Sequence, residues 1–303
     1  MNSLKTYIIT GGNSGLGYQC AKNIAIHGNN NYVIIASRNS EKSIEAVRKL
    51  ILETQNSHIE YMMLDLASLQ SIRDFANRFS AQVFPPLCGI VCNAISGGKS
   101  LTKDGFNMTF GTGHLGHFLL MNLLLKNMQD GRIIFVSSDQ HNPPSLIAKL
   151  HYYDAHDFAF SNKYNHNIMY SYTKLCNIYC AYELSSKLLA ETDKRITVNA
   201  FNPGFMADTG LAKPKNAFEN LIMQIAPILA RLFGTRSSAI ISGKLLAEYM
   251  LNSQYEGITG KYFDRDKEIK SSELSYNKEN ADKLWKQSIE LTKLQQDETI
   301  FPC

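Results

Sequence analysis

The 303-residue chain predicts an α/β protein, a doubly wound parallel sheet covered by helices on both faces. Three observations carry this. Segments of strand and helix character alternate along the whole length. The strand runs are unbroken and β-prone, as in Tyr32-Val33-Ile34-Ile35-Ala36, which suits parallel strands buried on both faces. The first run, Tyr7-Ile8-Ile9, leads straight into Thr10-Gly11-Gly12-Asn13-Ser14-Gly15-Leu16-Gly17, a glycine-rich turn that opens a helix.

That turn marks the sheet as Rossmann-type. Gly11 can take positive φ in a tight turn, Gly15 lets backbone N–H groups approach a pyrophosphate, and Gly17 lets the new helix lie close on the strand. The helix N-terminus adds its partial positive charge. With a strand before it and a helix after it, the stretch reads as a phosphate cradle and not as an ordinary glycine-rich loop.

Composition bounds the rest. At 44% hydrophobic and 19% charged, the chain can bury one large core, so one domain over residues 1–303 is expected. The net charge of +4 arises from 31 basic and 27 acidic residues interspersed along the chain, which describes a solvated surface and argues against a nucleic-acid partner. No signal peptide and no membrane-spanning run is read, and the 6 cysteines then imply free thiols in a reducing, cytoplasmic setting. Cys88, Cys92, Cys176 and Cys180 lack metal-ligand spacing and read as small buried apolar residues.

In chain order, the second strand ends in Ser37-Arg38-Asn39. An acid there would bind the ribose 2′-hydroxyl of NAD; none lies between Tyr32 and Ser40, and Arg38 suits the 2′-phosphate of NADP(H). A helix from about Glu41 to Thr54 leads to a strand from Ile59 to Leu64 and then to Asp65-Leu66-Ala67-Ser68. Asp65 can accept from an adenine amino group, while Ser68 can cap the helix Leu69 to Ser80. The fourth strand, Gly89-Ile90-Val91-Cys92, ends in Asn93-Ala94. A fifth, Arg132 to Val136, ends in Ser137-Ser138, where ligands of open α/β sheets bind. Asp139 to Ile168 is irregular and too long for an ordinary connection, so it reads as an insertion that can build a pocket wall, with His151, Asp154, His156 and Asp157 as a weaker metal alternative. Tyr170 opens the next helix with Lys174 four residues on, so both face one way and Tyr172 turns aside. A nearby ammonium draws a phenol toward its anion.

After the strand Ile196 to Ala200 comes Asn202-Pro203-Gly204-Phe205-Met206-Ala207-Asp208-Thr209. In the stretch 208–235, Phe218, Leu221, Ile222, Ile225, Leu229 and Leu232 share a helical face, which fits core packing, a lid over an apolar substrate, or a peripheral membrane contact. A helix from Ser237 to Leu251, a last strand around Lys261 to Phe263 and a mixed-charge helix near Lys278 to Leu294 finish the chain.

The T-G-x-x-x-G-x-G turn, Asn93-Ala94, Ser138 and Tyr170-x-x-x-Lys174, in that order, resemble the short-chain dehydrogenase/reductase superfamily. Gly111-Thr112-Gly113-His114-Leu115-Gly116-His117-Phe118-Leu119-Leu120 resembles the branch that holds light-dependent protochlorophyllide reductases and retinol dehydrogenases. The resemblance implies an NADP(H)-dependent oxidoreductase with catalytic Ser138, Tyr170 and Lys174. The cofactor site it implies draws on Gly11, Asn13, Ser14, Gly15, Leu16, Gly17, Arg38, Asp65, Leu66, Asn93, Ala94, Tyr170, Lys174, Pro203, Gly204, Met206 and Thr209. No metal is implied; His114 and His117 have a spacing that can suit one, but no carboxylate or thiolate pattern accompanies them.

Two departures refine the expectation. The branch places an Asn where this chain has Gly113, so a proton relay through that amide is missing, and Gly113→Asn is expected to raise turnover unless Gly113 serves a close helix contact. Protochlorophyllide reductases place a Cys after Pro-Gly; Phe205 carries no transferable proton. The expectation is hydride transfer to a carbonyl, or a conjugated alkene, of a bulky apolar small molecule. A non-catalytic NADP(H)-binding sensor or partner-binding protein, and a protochlorophyllide reductase-like C=C reduction, stand as alternatives. A homo-oligomer is compatible with the sequence.

Overall fold

A computed structural model describes residues 4–27, 30–143, 150–161, 163–206 and 237–302. Eight strands form one sheet: β1 (Lys5–Thr10), β2 (Asn31–Ser37), β3 (Ile59–Met63), β4 (Leu87–Cys92), β5 (Asp130–Val136), β6 (Arg195–Asn202), β7 (Tyr262–Asp264) and β8 (Lys267–Ile269). Their spatial order is β3-β2-β1-β4-β5-β6-β7-β8. All neighbours pair in parallel except β7 and β8. Among the described residues the α-helices are α1 (Gly15–Ile26), α2 (Ser40–Thr54), α3 (Leu69–Ala81), α4 (Met108–Phe110), α5 (Gly116–Leu124), α6 (Ala155–Phe160), α7 (His166–Glu191), α8 (Ala239–Leu251) and α9 (Lys278–Thr292).

Strand alternation divides the core between the two faces. Ile8, Ile34, Ile90 and Ile133 pack with α3, α5, α7 and α9. Ile9, Ile35, Val91 and Ile134 pack with α1, α2 and α8. Side chains of successive strand residues point to opposite faces, so runs that are apolar throughout serve both layers at once. The chain leaves β1 toward β2 and β3, then returns to β4 on the other side of β1. This reversal opens a crevice at the carboxyl ends of β1 and β4.

The expected order of elements is present, with differences that have local causes. β8 was not foreseen. Arg265, at φ 55°, turns the chain back so that Tyr262 pairs with Ile269, and β8 closes the sheet edge. The described residues of the expected insertion hold local structure that their composition does not announce: Asp139–His141 forms a 3-10 turn, and Asp154 caps α6 by accepting from His156 N. α7 begins at His166 because Asn165 accepts from Ile168 N, so Tyr170 lies one turn inside the helix and does not open it. Between α4 and α5 the helix widens into a π turn, Gly111–Leu115. The proposed lid over 208–235, and Thr209 with it, lie outside the described residues.

Candidate active site

The crevice is a cleft of about 530 Å³ that brings together residues from the ends of six strands. At its floor, Gly11 takes φ 66°. A β-carbon on Gly17 would stand 2.5 Å from the Gly11 carbonyl oxygen and 2.7 Å from Asn93 Nδ2, so the turn closes only with glycine there. Asn93 Nδ2 in turn donates to Thr10 O at 2.8 Å and ties β1 to β4. Thr10 Oγ1 accepts from Asn93 N at 2.8 Å and Ala94 N at 3.0 Å, and lies 2.9 Å from His117 Nε2. Ser14 precedes α1 without a side-chain cap, so the orphan N–H groups of that helix start are left for an anion. These features fit a dinucleotide pyrophosphate.

Gly11, Asn13, Ser14, Gly15, Leu16, Arg38, Asp65, Leu66, Asn93, Ala94, Tyr170, Lys174, Pro203 and Met206 all line this cleft. Gly17, Ser138 and Gly204 do not; Gly17 sits behind the turn, Ser138 follows the lining residue Ser137 and meets the cleft through Tyr170, and Gly204, at φ 77°, shapes the loop after β6. Ser68 caps α3, as expected. Asp65 reaches the cleft already paired with Lys103 at 3.1 Å, and its other oxygen accepts from Ala67 N. Lys42, Thr112 and Ser137 also line the cleft and were not singled out from sequence. Lys42 had a legible signal, since it lies four residues after Arg38.

At the other end of the cleft the two serines divide their work. Ser137 Oγ donates to Lys174 O at 2.8 Å and fastens β5 to α7. Ser138 Oγ accepts from Gln140 N at 3.2 Å, bonds Asp139 Oδ1 at 3.0 Å, and faces Tyr170. Burial pushes the Tyr170 phenol up to about 12; a hydrogen bond with Ser138 opposes the rise and Asp139 adds to it. The spacing predicts that an ammonium draws this phenol down; burial sets the direction instead, and the group that opposes it is Ser138. Lys174 Nζ stands 5.5 Å from the Tyr170 ring centroid and donates to Val136 O at 2.9 Å. Burial brings Lys174 down to about 8. Asn177 Nδ2 shares the same carbonyl at 3.2 Å. The arrangement can present a hydroxyl and a protonated phenol to a ligand oxygen.

Tyr172 turns aside, as the helical spacing requires, and donates to Tyr153 O at 2.6 Å. His114 bonds Ser288 at 3.0 Å and does not turn to Lys174, and His117 bonds Thr10; both are buried core histidines. His156 pairs with Glu290 at 2.8 Å, and Asp154 pairs with Lys283. Among the described residues, no group of three His, Cys, Asp or Glu is placed to hold a metal. Cys92, Cys176 and Cys180 are buried and free, and Cys88 is half-buried.

The residue meant to accept an Asn does not have the room. A β-carbon at Gly113 would stand 2.8 Å from both Ile95 Cδ1 and Thr173 Cγ2. Gly113 is a close contact between the π turn and α7, the alternative that the sequence left open beside the lost relay.

A double-wound sheet with a glycine cradle at its switch point and a Tyr-Lys pair across the cleft defines a nicotinamide-nucleotide oxidoreductase. The chain belongs to the short-chain dehydrogenase family, whose model matches residues 5–152. It is 35% identical to polyprenol dehydrogenase of Danio rerio, over 96% of this chain and 87% of that protein. It is 33% identical to retinol dehydrogenase 13 of Homo sapiens, over 96% and 85%. The retinol dehydrogenase side of the branch expected from sequence is thus represented among its relatives. Among solved structures, an actinorhodin polyketide ketoreductase with NADPH superposes with a TM-score of 0.65 at 20% identity, covering 86% of this chain and 95% of that one. The protein is an NAD(P)-dependent oxidoreductase. Among the described residues, no helix is long and apolar enough to cross a membrane.

Proposed function

We propose that this protein is an NADPH-dependent reductase of a bulky apolar carbonyl compound. The observation that carries the reading is the placing of Tyr170 and Lys174, with Ser138 beside the Tyr170 phenol, at one end of a cleft whose other end holds two cations, Arg38 and Lys42. When bound, the nicotinamide cofactor supplies the hydride. The chain's residues do the rest. Ser138 holds the substrate oxygen, and Tyr170 gives that oxygen its proton. A phenol held near 12 is protonated at neutral pH, which suits a proton donor in the reducing direction. Lys174 sets its positive charge beside the Tyr170 ring and holds the nicotinamide ribose. Arg38 and Lys42 take the 2′-phosphate as charge-assisted donors. The turn from Gly11 to Gly17, with Asn13, Ser14 and Leu16, holds the pyrophosphate, Asp65 and Leu66 the adenine end, and Pro203, Gly204, Met206 and Thr209 the carboxamide. The named activities of the relatives, on polyprenol and retinol, support an isoprenoid-like apolar substrate. One domain, a cytoplasmic setting and a lid over 208–235 belong to the same proposal.

The test is NADPH oxidation screened over aldehydes, ketones and conjugated alkenes, retinoid and polyprenyl carbonyls included, with Tyr170→Phe as control. Loss of turnover by a factor of about 10²–10⁴ with NADPH binding retained is expected. Unchanged turnover in that variant would remove Tyr170 from the chemistry.

A further inference from the structure

We propose that His141 is a positioning residue for Ser138, clamping the backbone of that serine to the chain at Ser272. The inference rests on the reading of Ser138 and Tyr170 as partners at the reacting end of the cleft. His141 Nδ1 lies 2.6 Å from Ser138 O. On the far side of the same ring, Ser272 N donates to Nε2 at 3.0 Å. A carbonyl oxygen can only accept and an amide N–H can only donate, so Nδ1 carries the ring proton and Nε2 is bare. The imidazole is thereby neutral and bonded at both ends, with its ring centroid 5.0 Å from that of Tyr262 and the two rings tilted by 56°. It is also buried.

The clamp acts on the serine that matters. Ser138 O accepts from His141 N at 3.1 Å as well as from Nδ1, so its two lone pairs are both taken and its peptide is held from one side. Its hydroxyl caps the same short turn through Gln140 N. The position of Oγ opposite Tyr170 thus depends on a turn whose hydrogen-bonded long-range anchor through this ring is Ser272, from a segment 131 residues away in the chain. An active-site hydroxyl displaced by about 1 Å loses much of its effect, and a turn of three residues supplies little rigidity of its own.

The signature to read is the environment of the Tyr170 phenol, which needs no substrate. With ¹³Cζ-labelled tyrosine, the Tyr170 resonance is assigned by its disappearance in Tyr170→Phe. Ser138→Ala should move it, since Ser138 is its hydrogen-bond partner. His141→Leu, which keeps bulk and removes both ring bonds, should move it toward the Ser138→Ala position. His141→Gln, whose amide offers one donor and one acceptor, should return it to the parental position. Ser272→Pro gives an independent arm: the residue's φ of −61° already suits proline, the substitution deletes the N–H that reaches Nε2, and Ser272→Ala, which should leave the signal in place, controls for the lost hydroxyl. The proline variant too should displace the signal. NADPH titration of each variant confirms that the fold and cofactor cradle persist. If the signal stays at its parental position in His141→Leu or Ser272→Pro while Ser138→Ala moves it, the positioning role is overturned and the Ser138 reading survives. If Ser138→Ala leaves it in place, the underlying Ser138–Tyr170 reading itself fails.

Discussion

Gly113 lies so close to Thr173 that a β-carbon on the glycine would stand 2.8 Å from the threonine methyl. The methyl cannot swing away cheaply, because Thr173 Oγ1 donates to Met169 O at 2.7 Å and fixes its rotamer on α7. Ile95, the other neighbour, meets the site with the far end of a flexible side chain and can yield. Overpacking of this kind costs about 1–3 kcal/mol, more than the ~1 kcal/mol that leaving glycine gains in a helix. Gly113→Ala should therefore lower the urea midpoint, and Gly113→Asn should lower it further and reduce turnover. Adding Thr173→Ser, which removes the obstructing methyl, should recover most of the loss in Gly113→Ala. A Gly113→Asn protein with raised turnover would restore the relay reading.

The proposed preference for NADPH rests on Arg38 and Lys42. Arg38→Ala should weaken NADPH by about tenfold, which corresponds to only ~1.4 kcal/mol, and leave NADH nearly unchanged. Lys42→Ala should act in the same direction with a smaller effect, and the double variant should bind the two cofactors about equally. Calorimetric titration decides this. Parental protein that binds NADH as tightly as NADPH would refute the assignment.

Much of this site was legible because its chemistry is local or set by strand ends. Tyr170 and Lys174 share a helix face at a spacing any helix enforces, and Asn93 follows a strand whose end must meet the glycine turn. What escaped depends on contacts between distant segments. The fit of Gly113 is decided by Thr173 on another helix, and the hold on Ser138 by Ser272 far along the chain. The balance that sets Tyr170 escaped for a related reason: the spacing predicts the pull of a neighbouring ammonium, but burial, a property of the whole fold, leads, with Ser138 opposing it. β8 is three residues long and exposed, so no hydrophobic pattern announces it.

The buried ammonium of Lys174 gives activity and stability opposite pH trends. Its pKa in the fold, about 8, lies below its ordinary value of 10.5 because burial disfavours the charge. Between those two values the unfolded chain binds a proton that the folded chain lacks, so unfolding free energy rises with pH, by up to about 1.4 kcal/mol per unit. Turnover in the reducing direction should fall over the same range as the charge beside Tyr170 is lost. Urea titrations and kcat profiles from pH 7 to 9.5 test both, and Lys174→Met should flatten this part of the stability curve. Activity that holds constant through pH 9.5 would separate Lys174 from the proton-donating step.

Acid should loosen the cradle through His117. Burial lowers this histidine to about 4, with the Gly113 carbonyl opposing and Lys174 adding to the effect, and burial lowers His114 to about 3, with His117 adding. Both are below the ordinary value of 6.5, so on acidification the unfolded chain takes up protons first. The sign is therefore a loss of stability as pH falls below 6.5, complete only near pH 3–4, at up to about 1.4 kcal/mol per unit for each ring. For His117 the geometry adds a consequence at the cleft. A proton on Nε2 would point at Thr10 Oγ1, which already accepts from the amides of Asn93 and Ala94. Those amides hold the loop that lines the cofactor cleft, so NADPH affinity should hold between pH 6.5 and 5, where only the unfolded chain takes up the proton, and fall as pH approaches 4 and the folded ring gains it. His117→Asn should be less stable at pH 7, having lost a buried hydrogen bond, yet show a shallower decline toward pH 5. A variant with the parental pH slope would mean that His117 does not carry the acid sensitivity.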